Sequence, residues 1–425
     1  MFYRIIGLTH KVLKSLIRRN TDVIKFNYYY YEKNKDNDLF YGENISKTKS
    51  IDDKLESIKT INSKSVIDDW KDLIEKTIVP KGWKNSDLHL AAYIKNKNNW
   101  VLSSWIWTSA ALANYFYSIQ DIDNLKRIAD RYIELQLPEG GWIVRSDIVD
   151  GNEVRTVAPN DSAYISFYSQ LNAYKTTKEK KYLSSAINCA DWILKTKRDG
   201  DHLVYVGQNF KTKEWIKKVN IVDIGFTIPL FVSLYQLTNK PQYLEFANNF
   251  SKDYIKKFYN SKMKLFYTSI DDNDNGFGGF FSRGQAWALE GLIPLYLETK
   301  DNKLYEIIDN VINQIVKNQH YTGTWPYNIS RKIYGFDPKG ISILSYSILR
   351  WFEINPQKVY LNSVLKANKA AQRLTSRNGI DRGLINAYSI EGAITHSRYS
   401  KTGMVYTTAY ALMVYNKLEE IRVSK

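Results

Sequence analysis

The chain has 425 residues, 60 Lys and Arg against 44 Asp and Glu, a formal charge of +16, and 14% aromatic residues, including 32 Tyr and 11 Trp. Cys189 is the only cysteine, which excludes a disulfide framework and fits a reducing, cytoplasmic compartment, and no run of eighteen apolar residues marks a conventional membrane-spanning helix. The positive charge is spread along the chain without a basic stripe interleaved with aromatics, so nucleic acid is not the expected partner, whereas an anionic substrate gains from the field and abundant aromatics suit a cleft for sugar rings.

Residues 1–21 carry Arg4, Lys11, Lys14, Arg18 and Arg19 with no acid, while Phe2, Ile5, Ile6, Val12, Leu13, Leu16 and Ile17 recur at helical spacing. Such a helix is expected either to lie on a membrane surface, giving peripheral contact, or to pack on the rest of the chain or on a partner. Residues 22–64 are polar and read as a linker. The expected organisation is therefore a basic amphipathic segment with its linker over 1–64 and one folded domain over 65–425.

From Ser65 the text changes to long apolar periodic segments with a self-similar unit of two helices joined by a short polar turn. The turns begin at Tyr117, Tyr174, Tyr235, Tyr296 and Phe352, at steps of 57, 61, 61 and 56 residues. A solenoid of helical repeats has shorter periods of about 33 to 47 residues. Five hairpins are visible, and Val66–Ile78 with Thr407–Arg422 would form a sixth by joining across a ring. In each unit the first helix is nearly apolar all round, as in Ile224–Leu237 and Gln285–Leu297, whereas the second alternates apolar and charged faces, as in Lys181–Lys195 and Gln242–Lys257. That is the pattern of an all-α, six-hairpin (α/α)6 barrel with a buried inner ring and a half-exposed outer ring.

Parallel inner helices would deliver their N-termini to one mouth. The residues expected to cap them are Asp161, Asp223, Ser282 and Asp337, the last followed by Pro338 at the first helical position. A helix N-terminus holds a carboxylate ionised, but two carboxylates facing each other in a partly dry cleft drive the pKa of one upward. Asp161 and Asp223, on consecutive inner helices, are the natural acid/base pair for sugar chemistry. Arg283, Trp287 and Glu290 follow Ser282 on one helical face and offer a cation, a stacking surface and a carboxylate. Asp271–Gly276 matches the first half of a calcium loop, but its twelfth position is Ser282 and not the required Glu, so a solvated loop is expected. There is no Walker loop, dinucleotide fingerprint or metalloprotease His pair, and His89, His202, His320 and His396 are too dispersed to argue a metal site.

Ser282-Arg-Gly-Gln-Ala-Trp-Ala-Leu resembles the signature of the unsaturated glucuronyl hydrolases, glycoside hydrolase family 88, whose relatives are the unsaturated rhamnogalacturonyl hydrolases. Asp161 and Asp223 fall where that family has its two active-site aspartates, Asp337-Pro-Lys-Gly-Ile looks like a later helix start, and Gly392-Ala-Ile-Thr-His396 resembles its Gly-x-x-x-His segment. The resemblance runs from about residue 80 to 422. It implies hydration of the C4=C5 double bond of a 4,5-unsaturated uronic acid at the non-reducing end of an anionic oligosaccharide, with no metal, cofactor or covalent intermediate. By position it makes Asp223 the general acid/base and Asp161 its partner, and it matches Arg283 and Trp287 to substrate-binding positions; Gln285, Trp142, Trp215 and His396 are the further residues expected to bind substrate. The family's usual histidine before the Arg-Gly signature has no counterpart, since residues 224–282 contain none and Phe266-Tyr267-Thr268 stands in that neighbourhood. The competing expectations are another sugar enzyme on the same barrel, an epimerase using histidines or a glycosidase for saturated chains, and a non-catalytic glycan-binding protein.

Overall fold

A computed structural model of the chain describes residues 65–423 apart from 80–87, 95–98, 102–105, 150–151, 218, 331–336, 378–380 and 386–401. The amphipathic segment and linker of residues 1–64, and the segment holding His396, thus lie outside the described residues.

The first described helix, α1 (Val66–Lys76), starts where the sequence changes character. Ser65 caps it and Asp68 reciprocates, satisfying two of its orphan N–H groups. Five helical hairpins follow: α2 (Ile106–Ser118) with α3 (Ile122–Leu135); α4 (Pro159–Ile165), continued through a π-turn over Ser166–Leu171 into α5 (Asn172–Thr177), with α6 (Lys180–Lys195); α7 (Thr227–Thr238) with α8 (Pro241–Phe258); α9 (Ser282–Thr299) with α10 (Asn302–Lys317); and α11 (Pro338–Phe352) with α12 (Lys358–Leu374). The last helix, α13 (Val405–Val423), packs against α1 as the sixth pair. The expected turns stand where the tyrosine markers put them. Four of them share one device, a single left-handed residue at Gln120, Lys178, Asn239 and Lys300, with φ of 59°, 61°, 55° and 55°.

The first helices form a closed inner ring, α2 against α4, α4 against α7, α7 against α9, α9 against α11, α11 against α13 and α13 back against α2. This is the (α/α)6 barrel. In α7 the eight residues from Thr227 to Leu234 are all buried, as an inner-ring helix requires. An outer helix buries a stripe: α10 hides Leu304, Ile307, Ile308, Val311, Ile312 and Ile315 and turns its other face to water.

Small antiparallel sheets, not expected from the sequence pattern, lie in the connections from outer to inner helices. Strands β1 (Ala92–Ile94) and β2 (Asn99–Val101) join β11 (Thr402–Met404); β3 (Ile143–Val149), β4 (Asn152–Val157) and β5 (Gln208–Asn209) form a second sheet; β6 (Val219–Ile221), β9 (Ser269–Asp271) and β10 (Gly276–Phe277) form a third; β7 (Tyr259–Asn260) pairs with β8 (Leu265–Phe266). Each strand of these sheets is two to seven residues long, too short to register as alternation against the helical periodicity. Because they all sit on the outer-to-inner side, they surround the mouth where the inner helices begin. Among the described residues no helix is long and apolar enough to cross a membrane.

The ring is locked where its two ends meet. Asp69 of α1 is fully buried and paired with Arg382, Nε to Oδ1 2.6 Å, and Arg377, Nε to Oδ2 2.8 Å, both from the segment after α12. Nearby, the Trp70 indole donates to Thr375 at 2.9 Å and the Lys76 ammonium to the Arg382 carbonyl at 2.8 Å. Asp69→Ala leaves two guanidinium groups without their carboxylate, and is expected to destabilise the fold by about 3 kcal/mol in urea unfolding. Its effect on turnover per folded molecule is expected to be small, because the lock lies outside the mouth.

Candidate functional site

The mouth is built from the first turns of the inner helices. Asp161 is the third residue of α4, after Pro159 and Asn160, and the helix is capped by the backbone of Ala158 without a side-chain bond. Asp161 therefore does not cap. Its Oδ1 accepts the Trp107 indole N–H from α2 at 2.5 Å, with the Asn160 amide at 3.4 Å. Asp223 lies in a 3-10 turn, Val222–Phe226, that leads into α7, and its carboxylate accepts backbone N–H groups of that turn. Ser282 is likewise the first residue of α9 rather than its cap, since the chain is still extended at Phe281 and the Ser282 hydroxyl donates instead to Asp337 at 2.9 Å. Asp337 is the expected cap of α11 with Pro338 at the first position, but its carboxylate is taken by Ser282 and by Arg283 Nε at 2.9 Å.

Two close backbone approaches hold this geometry. A Cβ on Gly291 of α9 would stand 2.5 Å from the Gly225 carbonyl, and one on Gly284 would stand 2.8 Å from the Val222 side chain. Glycine at both positions lets α9 lie directly on the turn that presents Asp223. The Tyr254 hydroxyl, from outer helix α8, donates to the Val222 carbonyl at 2.6 Å and fixes the turn from behind.

Electrostatics then separates the two aspartates. Burial is the main cause pushing the Asp223 carboxyl well above the usual carboxylate range, the Asp161 charge adds to it, and the backbone donors oppose it. Asp223 Oδ1 is buried with no protein partner. Asp161, by contrast, has its Oδ1 bound by the Trp107 indole. One protonated and one ionised carboxyl is the state general acid/base chemistry uses.

Beside them, Arg283 is held by Asp337, by the Tyr406 hydroxyl at 3.1 Å, and over the Phe281 ring at 4.5 Å from its centroid. Trp287 packs edge-on to both Phe226 and Phe281, at 6.2 and 5.6 Å, and Phe226 stacks on Tyr164 at 4.1 Å. Asp161 thus stands near enough to Asp223 for its charge to act on it, and Arg283 and Trp287 lie in the first turns of the adjacent inner helix α9.

Of the other expected binding residues, Trp142 and Gln285 are buried in the wall, whereas Trp215 lies on a mouth-side connection. Trp142 is buried, its indole donating to the Tyr132 carbonyl at 2.7 Å, so it is a packing residue. Gln285 is fully buried and pins strand β8, accepting from Phe266 N–H and donating to its carbonyl, each at 2.8 Å. Trp215 is half-buried on a loop after β5 and stacks on Tyr205 at 5.5 Å. The described histidines are engaged elsewhere, His89 in the core against Phe116, His202 on Asp253 and His320 on Thr322. In the neighbourhood of the absent histidine, Thr268 accepts the Phe281 N–H at 3.1 Å and donates to the Gly278 and Gly279 carbonyls. In the calcium-like stretch, Asp271 accepts the N–H groups of Asn273 and Asn275, while Asp274 binds Lys257 and Arg198. Among the described residues no cluster of acids, histidines or cysteines is arranged to hold a metal.

Deeper in the ring, α9 supplies Glu290, fully buried, whose Oε1 accepts the hydroxyls of Tyr410 and Tyr168. Tyr410 also meets Tyr164, and the Arg350 charge lies close by. Tyr168 reaches Glu290 from the π-turn of the α4–α5 helix, where the widened spiral re-aims the side chain. Glu290, expected to share a face with Arg283 and Trp287, is instead enclosed by tyrosines below them; the tyrosines and Trp107 were missed in the sequence. Their one legible signal is polar residues within helices that are otherwise apolar on every side, as in Tyr164, Tyr168 and Tyr410.

A family model described as Glycosyl Hydrolase Family 88 matches residues 81–402. Among solved structures, an unsaturated glucuronyl hydrolase of Bacillus sp. GL1 is 14% identical, with 83% of this chain and 94% of that chain covered and a TM-score of 0.61. An unsaturated glucuronyl hydrolase specific for heparin is 14% identical over 87% and 98% of the two chains, with a TM-score of 0.63. A possible member of glycoside hydrolase family 105 from Salmonella enterica is 16% identical over 85% and 96%, with a TM-score of 0.59. At those identities the likeness establishes the barrel. An uncharacterized protein of Caenorhabditis elegans is 27% identical over 226 residues, 51% of this chain and 28% of its own length, so the match spans little more than a quarter of that relative.

Burial pushes the Glu290 carboxyl up to about 7, against the hydroxyls of Tyr410 and Tyr168 and the Arg350 charge, which lower it. With the folded value above the unfolded one, the folded chain binds the extra proton, so this contribution is complete below about pH 4.5 and is lost as pH rises to about 7. Glu290→Gln should therefore flatten the fall in stability across that window, by up to about 3 kcal/mol, when urea unfolding is compared at pH 4.5 and 7.5.

Proposed function

The chain belongs to glycosyl hydrolase family 88 and is a glycosidase, and from that premise we propose that it releases a 4,5-unsaturated uronic acid from the non-reducing end of an acidic oligosaccharide. The observation that carries this reading is the buried Asp223 carboxyl, with one oxygen unpartnered and the Asp161 charge beside it. A vinyl ether needs a proton before it accepts water, and a carboxyl held protonated at neutral pH is a suitable donor.

In the proposed mechanism Asp223 gives its proton to C4 of the double bond. Water then adds to the electron-poor C5 and returns a proton to the Asp223 carboxylate. The hemiketal formed at C5 opens to a ketone, and the hemiacetal left at C1 expels the rest of the glycan. Asp161 stays ionised, keeps the Asp223 pKa high and favours the positive charge that develops at C5. Arg283, oriented by Asp337 and Tyr406, supplies a counter-charge for the uronate carboxylate, and Trp287 with Phe281 and Phe226 offers the apolar wall for the sugar ring. The catalytic unit in this reading is the barrel of residues 65–425. The unsaturated glucuronyl hydrolases of the same architecture support the choice of reaction, and the chain's charge of +16 supports an anionic substrate.

Incubation with unsaturated disaccharides derived from chondroitin, heparin, hyaluronan or pectin should bleach the absorbance of the double bond for at least one of them. Persistence of that absorbance with every disaccharide rejects the reaction. Asp223→Asn should lower kcat by about 10²–10⁴-fold with the fold retained. Activity should fall as Asp223 loses its proton, and Asp161→Asn, which removes a like charge and so lowers the Asp223 pKa, should move that alkaline limb of kcat toward lower pH.

A further inference from the structure

The connection from α10 to α11 opens on the same seven-residue frame as the one from α3 to α4. In both, a glutamine, a glycine and a tryptophan stand at the same intervals: Gln136, Gly140 and Trp142; Gln319, Gly323 and Trp325. The Gln136 amide donates to the carbonyls of Gly140 and Ser185 while accepting the Ser185 hydroxyl; Gln319 does the same with Gly323 and Ser363. Each glycine has positive φ, 113° and 91°, and lies so tightly on the next outer helix that a Cβ would be 2.2 Å from the carbonyl of Asn188 or Lys366. Each tryptophan donates back to the preceding helix, to Tyr132 and Ile315.

The two copies share a scaffold and differ in what they display. In the first, the outer helix carries Asn188, Asp191 and Lys195 beside Pro138 and Glu139. In the second, the same places hold Lys366, Lys369 and Arg373 beside Tyr321 and Thr322. The fold therefore does not need the cations of Lys366 and Lys369, which replace an amide and an acid. They line a groove of about 580 Å³ with Thr324, Ala370 and Leu374, and Tyr321 is 86% exposed at its edge. Lys366, Lys369 and Arg373 lie on one face of α12 along about 10 Å of helix. Arg373 is steadied by the Thr322 carbonyl at 2.5 Å, and no acid lines the groove. Outer helices run against inner ones, so this second half of α12 reaches the mouth side. The same connection continues from Trp325, whose carbonyl accepts the Asp337 N–H, to Tyr327, which packs on Phe281 at 4.4 Å beside Trp287.

We propose that this rim groove of Tyr321, Lys366, Lys369 and Arg373 is a second binding site for acidic polysaccharide, holding uronate or sulfate groups of a chain on the same face of the barrel as the mouth. The ligand class rests on the catalytic reading above. A row of cations suits a polymer that carries an anion at regular intervals, and an exposed ring beside it suits a sugar face.

The test uses the full chain and surfaces coated with chondroitin sulfate or polygalacturonate, prepared without unsaturated ends so that the mouth has no terminal substrate. The wild type should bind at least one of them, lose it in high salt, and ignore neutral dextran. Lys366→Ala/Lys369→Ala and Tyr321→Ala should each weaken binding, the former by about tenfold, with kcat and KM for an unsaturated disaccharide unchanged; Lys195→Ala, at the equivalent place of the first copy, should bind as the wild type. Equal binding by wild type and the double lysine variant overturns the proposal, as does tighter binding of single-stranded polythymidylate that displaces both glycans. If no disaccharide is turned over while polymer binding still depends on Lys366 and Lys369, the catalytic reading fails and the groove stands; turnover without that dependence gives the opposite result.

Discussion

Six inner helices packed side by side in one direction bring six N-termini to a single face, and everything chemical about this protein follows from that constraint. Each first turn leaves N–H groups that no helix can satisfy, so polar residues must collect there. Here the need is met by unlike means. The Asp223 turn folds its own backbone donors onto the carboxylate, while the carboxylate of Asp337 is drawn away to Ser282 and Arg283. Asp161, third in its helix, is bound from the neighbouring inner helix by Trp107. Neighbouring helices thus hold each other's charged groups, which makes the mouth a property of the ring and not of any hairpin.

The interior of the ring is not purely apolar. Glu290, Tyr164, Tyr168 and Tyr410 form a hydroxyl–carboxyl chain around the axis below the mouth, next to Arg350. An apolar filling of equal volume would cost less desolvation. A chain of this kind does fix the rotation of the contributing helices relative to each other, because a slip of one residue breaks several hydrogen bonds at once. Phe226 stacked on Tyr164 and set edge-on to Trp287 carries that order up to the mouth.

The outer wall is organised by repetition. The glutamine, glycine and tryptophan connection occurs twice, with the same bonds and the same tight glycine, and it accounts for Trp142 as a packing residue. A fold built from repeats supplies its own comparison: what is common to the two copies holds the barrel together, and what differs between them is free to serve another purpose. The acids and amide of one copy stand opposite the lysines and exposed tyrosine of the other.

The sequence by itself determined the barrel, because an inner helix buried on all sides and an outer helix buried on one leave different patterns of apolar residues, and because turn signals recur at nearly constant steps. It also determined which inner-helix starts carry Asp161, Asp223 and Arg283, since direction and order within the ring follow from hairpin topology. Short strands around the mouth escaped it, being two to seven residues long and held by pairing with distant segments such as β6 with β9. So did the difference between Trp287 at the mouth and Trp142 in the wall, or between Gln285 pinning β8 and a residue facing substrate: each is an identical side chain type whose exposure depends on what other hairpins bring to it. Only tertiary structure decided that Asp161 and Ser282 lie inside their helices rather than before them. The last step belongs to it as well, because a pKa is set by burial and by charges from elsewhere in the chain, and no spacing in the sequence states how dry the pocket around Asp223 will be.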